Sequence, residues 1–173
     1  LNIPVVEIFL CTLAAYLVAR AIARNERWTW LLAGTAFGLA ILAKHSSVLW
    51  SAALALGILI APTRRVFASP WPWAGVAIAA LLALPNVLWQ VQNDFASLKL
   101  MRTVRGEFPA EQGRGLFLAG QLLYFHPFAI PVWVAGLRFG ISERCRAARP
   151  FAVLFVAPGL SLLVAGGKPY YLA

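Results

Sequence analysis

Long apolar runs, separated by short polar or charged stretches, make up most of the chain. They lie at about 3–23, 28–43, 46–61, 71–91, 115–137 and 150–166. A helix needs about 20 predominantly apolar residues to cross the hydrocarbon core of a bilayer, with a range of roughly 17–25. The pattern therefore predicts an all-α, polytopic membrane protein with about six transmembrane helices. Residues 1–173 are then part of a single helical domain.

The second and third runs are slightly short, and Lys44, His45 and Ser46 leave almost no loop between them. One interpretation is a tight helical hairpin whose Lys44 extends toward the membrane surface. The other merges both runs into one long buried helix, which would place Lys44 in the middle of the bilayer, where a charge is costly. We therefore favour the hairpin.

Glycine and proline add expectations about helix shape. Gly34 and Gly38 lie four residues apart in the second run, which predicts a face where a neighbouring helix packs closely. Pro127 and Pro131 are expected to kink the fifth helix near its middle, because proline cannot donate the helical hydrogen bond. His126 could face a cavity there, but a hydrogen bond to a carbonyl freed by the kink is the simpler role.

The composition excludes a soluble globular domain. Of the 173 residues, 61% are hydrophobic and 12% are charged, whereas soluble domains carry about 25% charged residues. The net charge of +9 does not indicate a nucleic-acid partner, because the basic residues form short clusters between apolar runs. Cys11 and Cys145 fall in separate parts of the topology, so neither a disulfide nor a metal site is predicted.

Basic residues also predict how the helices are oriented, because cytoplasmic loops are enriched in lysine and arginine. Nine of the fifteen basic residues fall in one set of alternate loops, which we assign to the cytoplasm. They are Arg20, Arg24, Arg27, Arg64, Arg65, Arg138, Arg144, Arg146 and Arg149. The other set contains Lys44, the loop 92–114 and Lys168, and we expect it to face the periplasm or exterior.

Within the outer loop 92–114, Lys99, Arg102 and Arg105 recur every three residues, with apolar residues opposite. This spacing predicts a short amphipathic helix that lies on the membrane surface with its basic face toward anionic lipid head groups. A purely electrostatic anchor is the favoured role. Asp94 is the best-placed carboxylate of the loop and a weak candidate for a general base, although a role at the helix end is simpler.

Three segments with cations, aromatic rings and amides are expected to meet on the outer side, at 43–47, 89–95 and 166–171. This mixture suits a phosphate-bearing lipid with a sugar in its head group, because cations neutralise phosphate while aromatic faces and amides hold a sugar ring. Simpler roles remain open, since a lysine can end a helix and tyrosines are common at membrane interfaces.

Two further features add candidates to this outer face. Lys168 follows two glycines, which let backbone approach a ligand closely, and it precedes Tyr170 and Tyr171. Glu7 lies just inside the outer end of the first run, and an intramembrane carboxylate is a functional candidate by default. A wet position at the interface would also explain Glu7.

Four segments resemble a known family in the expected order. Residues 33–44 are similar to its "GLxxGLAxLxK" helix, 84–95 to its "PNxxWQxQNxxP" helix end, and 167–173 to its "GKxYYLxP" segment. The remaining segment combines 120–123 with Pro127 and 133–137. The chain thus resembles the polyprenyl-phosphate-sugar-dependent glycosyltransferases of the C-type membrane fold. The nearest group is the bacterial branch related to protein O-mannosyltransferases (glycosyltransferase family 39) and the lipid A aminoarabinose transferase. Ala96 departs from the pattern, which often has proline there.

The resemblance implies a multi-pass enzyme of the bacterial inner (cell) membrane. It would move a sugar from a polyprenyl-phosphate carrier to an acceptor on the outer face, with inversion at the anomeric carbon. A carboxylate would deprotonate the acceptor hydroxyl while the lipid phosphate leaves. In this family the key acidic residue lies in the first outer loop, which we expect upstream of Leu1. We interpret the chain as an internal fragment, incomplete at both ends and inactive alone.

By match to the motif positions, Lys44 and Lys168 would face the carrier phosphate, and Tyr170 and Tyr171 would line the lipid-sugar cavity. Asn93, beside the candidate base in the outer loop, would lie where the loop turns over the site. The implied partners are membrane lipid and a polyprenyl-phosphate sugar, which is the donor substrate. Neither the acceptor nor a requirement for divalent metal is decided by the resemblance, and no cofactor is assigned.

A transporter or flippase for a lipid-linked sugar or another anionic solute is the main alternative, and a scaffold subunit without chemistry is a third. A transporter should place ionisable groups at mid-membrane and show repeats between its halves. The sequence has only His126 near that depth and no internal repeat. The polar segments of the outer side count against a scaffold.

Overall fold

The computed structural model describes residues 3–107, 114–125 and 127–165, and their side chains except those of residues 101, 104–107, 125, 143 and 144. These residues form eight α-helices, with no strand among them. The α-helices are α1 (Ile3–Arg24), α2 (Thr29–Ala43), α3 (Ser47–Ile60), α4 (Pro70–Gln92), α5 (Ala96–Glu107), α6 (Arg114–Phe125), α7 (Ile130–Ile141) and α8 (Arg149–Ala165). The 3-10 helices are Pro62–Ala68, Pro127–Ala129 and Glu143–Ala148. The expected all-α fold is confirmed.

Among the described residues, three helices are long and apolar enough to cross a membrane, namely α1, α4 and Cys145–Ala165, which contains α8. The number rises to five if two bent pairs, α3 with Pro62–Ala68 and α6 with α7, each count as one span. α2 has 15 residues, so its length of about 22 Å falls short of a hydrocarbon core of about 30 Å. Large apolar side chains such as Leu81 and Val164 are more than half exposed, as expected where helices face lipid. The chain is a multi-pass membrane protein.

The break between the second and third apolar runs is confirmed. α2 ends at Ala43, Lys44 has an extended backbone, and α3 begins at Ser47. The two arms of this hairpin diverge, because α2 packs mainly against α1 and α4 whereas α3 packs mainly against α8. A buried cluster of Leu17, Val18, Ala33, Leu54 and Ile58 joins α1, α2 and α3.

The fifth apolar run is divided at Pro127, near the expected kink. α6 ends at Phe125, the 3-10 helix Pro127–Ala129 follows, and α7 begins at Ile130. Pro131 lies in the first turn of α7, where proline fits because that backbone position has no helical acceptor for an N–H. The break is therefore at Pro127, whereas Pro131 helps to start the next helix. His126 lies outside the described residues.

The predicted glycine face of α2 is confirmed by its packing. A Cβ atom on Gly34 would lie 2.1 Å from the Gly75 carbonyl oxygen in α4, and one on Gly38 would lie 2.8 Å from the Leu82 Cβ. Both distances are too short for real carbon atoms. α2 and α4 can therefore approach each other this closely only because glycine occupies these positions.

Because the chain reverses direction between successive helices, the helix termini lie at two opposite ends of the helical array. At one end Glu7 contacts Lys44, and the adjacent His45 contacts Gln90 in the last turn of α4; we call this the Glu7 end. At the other end Arg64 and Arg149 line one cavity, and we call this the arginine end. Lys44 therefore lies at the end opposite Arg64 and Arg149.

Candidate functional site

Glu7, in the second turn of α1, is the centre of a polar cluster at the Glu7 end. Its residue exposure is 5%. One carboxylate oxygen, Oε2, lies 2.9 Å from the Lys44 Nζ. The other, Oε1, accepts hydrogen bonds from the Ser46 and Ser47 hydroxyls at 2.6 and 3.1 Å. A buried carboxylate is costly unless it is paired and hydrogen-bonded, and this cluster provides both kinds of partner.

The turn between α2 and α3 supplies three of the four polar groups in this cluster. Lys44 interrupts the helix, and its backbone N–H donates to the Ala40 carbonyl at 2.9 Å. The Ser47 hydroxyl also lies 3.1 Å from that carbonyl, so its single proton can serve either this oxygen or Glu7. About one third of the Lys44 side chain is exposed. The ammonium is therefore held by Glu7 while part of the side chain stays accessible.

A second polar cluster begins at the neighbouring residue, His45. Its Nε2 atom lies 2.6 Å from the Asn86 Oδ1 and 3.0 Å from the Gln90 Nε2. One ring nitrogen donates when protonated and accepts when it is not, so the two contacts require alternative proton positions. The Gln90 side chain also contacts the Ser97 hydroxyl and accepts from the Ser97 backbone N–H at 3.3 Å. This cluster ties the α2–α3 turn to α4 and α5.

The connection from α4 to α5 turns sharply beside the second cluster. Asp94 and Phe95 have φ angles of 51° and 55°, and the Phe95 N–H donates to the Gln90 carbonyl at 2.7 Å. The Asn93 side chain donates to the Trp89 carbonyl at 2.8 Å and so caps the end of α4. These contacts place Ser97 against Gln90.

The structure places the other candidates as follows. Asp94 forms a 3.4 Å ion pair with Lys99, and the two side chains are 85% and 64% exposed. Arg102 is exposed on α5. The Arg105 backbone belongs to the same helix, but its side chain lies outside the described part of the chain. Three further predicted residues, Lys168, Tyr170 and Tyr171, also lie outside the described part of the chain.

The sequence places Ser46, Ser47 and Gln90 in the polar segments of the outer side but does not pair them with Glu7 or His45. Asn86 and Ser97 are not predicted as members of either cluster. A signal was available for Asn86 and Gln90. They are polar residues four apart in the last turns of an apolar helix, and this spacing puts them on one helical face. Within the described residues, no three His, Cys, Asp or Glu side chains come together as a metal site would require.

The fold and these clusters define a polytopic helical membrane protein with a polar site at one end of its helices. Residues 1–89 of the 173 match the family described as dolichyl-phosphate-mannose-protein mannosyltransferase. The chain belongs to this family, which indicates a glycosyltransferase of the mannosyltransferase type. The resemblance noted in the sequence is thereby confirmed. No curated protein and no solved structure matches the chain. The matched part includes Glu7, Lys44, His45 and Asn86.

Proposed function

We propose that the chain forms part of a glycosyltransferase that takes a sugar from a polyprenyl-phosphate carrier. The acceptor lies on the outer face of the membrane, to which the Glu7 end is directed. The family match over residues 1–89 carries this proposal, because the family's description names a sugar linked to a lipid phosphate. The bacterial inner membrane remains the proposed location.

Lys44 is the proposed contact for the carrier phosphate. Its ammonium lies at the end of the helical array and about one third of its side chain is exposed, where a lipid phosphate at the bilayer edge can reach it. Negative charge grows on the phosphate as the bond to the sugar breaks, and a fixed positive charge stabilises that leaving group. Glu7 and the two serines hold the ammonium in place, so Glu7 is a positioning residue in this proposal.

The second cluster is the proposed contact for the sugar. His45, Asn86, Gln90 and Ser97 offer hydrogen-bond donors and acceptors beside Lys44, and sugar hydroxyls need both. Asn93 closes the end of α4 next to this cluster. Lys168, Tyr170 and Tyr171 are proposed as further contacts to phosphate and lipid-sugar on the strength of the sequence motif alone.

The proposed reaction is a single displacement. The acceptor hydroxyl oxygen forms a bond to the anomeric carbon, its proton passes to a carboxylate, and the electrons of the carbon–oxygen bond leave with the lipid phosphate. Glu7 is engaged with Lys44 and two hydroxyls, so it is a poor acceptor for this proton. Asp94 is the exposed carboxylate at this end in the described part of the chain, and an acid upstream of Leu1 is the alternative base.

The test uses the full-length protein, reconstituted in vesicles with a radiolabelled polyprenyl-phosphate sugar and membrane extract as the source of acceptor. Lys44→Met is expected to reduce transfer by about 100-fold, in the range found when one group that stabilises a developing anion is removed. Lys44→Arg should recover part of the rate. Lys99→Met removes the same charge from an exposed pair at the same end and should cost much less.

Three results would count against the proposal. Equal losses in Lys44→Met and Lys99→Met would show that only general surface charge matters. Full activity in Lys44→Met would show that Lys44 does not contribute to the transfer site. Movement of the lipid-linked sugar across the vesicle membrane without transfer would instead establish the transporter alternative. Asp94→Asn decides the base, because loss of transfer with intact donor binding would assign that role to Asp94.

A further inference from the structure

Four arginines from two distant stretches of the chain come together at the arginine end. They line a cavity of about 540 Å³ with a few apolar residues of the α3 terminus. The arginines are Arg64, Arg65, Arg146 and Arg149. We call this set the arginine cavity.

Packing between α3 and α8 builds the arginine cavity. A Cβ on Gly57 in α3 would lie 2.6 Å from the Pro150 carbonyl oxygen at the start of α8, so the two helices touch here through backbone. The chain then bends by 104° between α3 and the 3-10 helix Pro62–Ala68. This bend carries Arg64 and Arg65 toward the start of α8.

Concentrated positive charge favours an anion with several oxygen acceptors. Guanidinium groups bind phosphate through paired N–H donors, and they keep their charge at every accessible pH. The arginine cavity therefore has the chemistry of a phosphate site.

An apolar groove of about 570 Å³ continues from the arginine cavity between α7 and α8. The two spaces share Ile60, Ala61 and Arg149. The groove extends along α8 as far as Leu160. The helix rises about 16 Å from Arg149 to Leu160, close to half of a hydrocarbon core of about 30 Å. The groove thus matches the depth of one lipid leaflet.

We propose that the arginine cavity and its groove bind one anionic phospholipid, with the phosphodiester among the arginines and an acyl chain along α8. A phosphatidylglycerol-type head group fits, because its net negative charge complements the four arginines, whereas a zwitterionic head group brings its own cation. Basic pockets between membrane helices are suited to such lipids. The bound lipid bridges α3 and α8 at the end opposite the proposed sugar-transfer site, so the inference does not rest on the proposed function.

Native mass spectrometry of the detergent-purified full-length protein, titrated with phosphatidylglycerol or phosphatidylcholine, tests the proposal. Wild type is expected to prefer phosphatidylglycerol. Arg64→Gln with Arg149→Gln should weaken that binding by about 25-fold, since each arginine near a lipid head group contributes about a fivefold factor. Arg24→Gln with Arg27→Gln removes two charges from the same end outside the cavity, and should leave the affinity nearly unchanged.

A groove variant separates a lipid from free phosphate. Ala157→Phe fills the groove and leaves the arginines in place, so it should weaken binding of phosphatidylglycerol without changing binding of inorganic phosphate. The proposal is overturned if wild type does not prefer phosphatidylglycerol, if both double variants lose affinity equally, or if Ala157→Phe has no effect. Arg64→Lys with Arg149→Lys keeps both charges but loses the paired N–H donors, so its affinity for phosphatidylglycerol should lie between those of wild type and the glutamine variant. Ala157→Phe leaves the arginines in place and tests the proposal if the glutamine variants do not fold.

Discussion

At the residue scale, the Glu7–Lys44 ion pair combines a buried carboxylate with a lysine whose side chain is about one third exposed. Lys44→Met leaves the carboxylate buried with only hydroxyl partners, so it is expected to cost about 2–3 kcal/mol of unfolding free energy. Glu7→Gln should cost about 1 kcal/mol, because the lysine can turn toward water. In the double variant the losses should fall short of their sum by about 1–2 kcal/mol. Denaturant unfolding in detergent measures these values.

The pair Asp94–Lys99 provides the control for this double-mutant cycle. Its atoms are 3.4 Å apart, but both side chains are largely exposed, and exposed pairs couple by about 1 kcal/mol or less. Asp94→Asn and Lys99→Met should therefore be nearly additive. Additive losses at Glu7 and Lys44 as well would mean that burial of Glu7 does not strengthen their interaction.

A second residue-scale prediction concerns pH at the arginine end. Hydrogen bonds from the Arg20 side chain, at 2.7 and 2.9 Å, lower the pKa of Glu26 below its ordinary value of 4.5. A group whose pKa is lowered by folding stabilises the fold above its unfolded pKa, and the effect disappears as pH falls through the folded pKa. Wild type should therefore melt at a higher temperature than Glu26→Gln near neutral pH. The two melting temperatures should converge below pH 4.5, and a constant difference at all pH values would contradict this.

The polar residues show how far sequence reasoning could reach at this scale. Lys44 stands out because one charge interrupts an otherwise apolar stretch, and the sequence predicts it as a site residue from its polar neighbours and its position in the family motif. Its pairing with Glu7 could not be read from the sequence, because it depends on how α1 packs beside the α2–α3 turn. The contact between Gln90 and Ser97 could not be predicted for a related reason. Their contact arises from the two positive φ angles at Asp94 and Phe95, which no residue type there requires.

At the scale of elements, the contact between α2 and α4 depends on the absence of a side chain at Gly34. Gly34→Ala would place a methyl group 2.1 Å from the Gly75 carbonyl oxygen, so the helices must separate, at an expected cost of about 1–3 kcal/mol. Gly136→Ala in α7 is the matched control, because nothing lies within 4 Å of the added Cβ. That change should be neutral or stabilise by up to about 1 kcal/mol. Thermal unfolding of both variants measures the difference, and similar melting temperatures would contradict the packing.

Helix boundaries were more predictable than helix neighbours. The breaks at Lys44 and Pro127 follow from local chemistry, since a charge avoids the bilayer centre and proline cannot continue a helical hydrogen-bond pattern. The divergence of α2 and α3 does not follow from local chemistry. It depends on a backbone contact between Gly57 and Pro150, two residues from separate apolar runs that no sequence pattern pairs.

At the scale of the whole molecule, the separation of charge between the two ends makes the membrane orientation testable. The proposed function requires the Glu7 end to face outward and the arginine end to face the cytoplasm. Arg102 on α5 and Arg27 before α2 are both exposed and lie toward opposite ends. Each is replaced by cysteine in a full-length protein whose Cys11 and Cys145 have been changed to alanine and serine.

A membrane-impermeant maleimide applied to intact spheroplasts should label Arg102→Cys and leave Arg27→Cys unlabelled until the membrane is permeabilised. The reason is the positive-inside rule, which assigns the loops with more arginine to the cytoplasm. Labelling of Arg27→Cys in intact spheroplasts, with Arg102→Cys protected, would show that the protein has the opposite orientation in the membrane. Lys44 and the His45 cluster would then face the cytoplasm, and transfer to an acceptor on the outer face would be impossible from this site. The proposal that the arginine cavity binds a phospholipid would still hold after that result, but the lipid would belong to the outer leaflet.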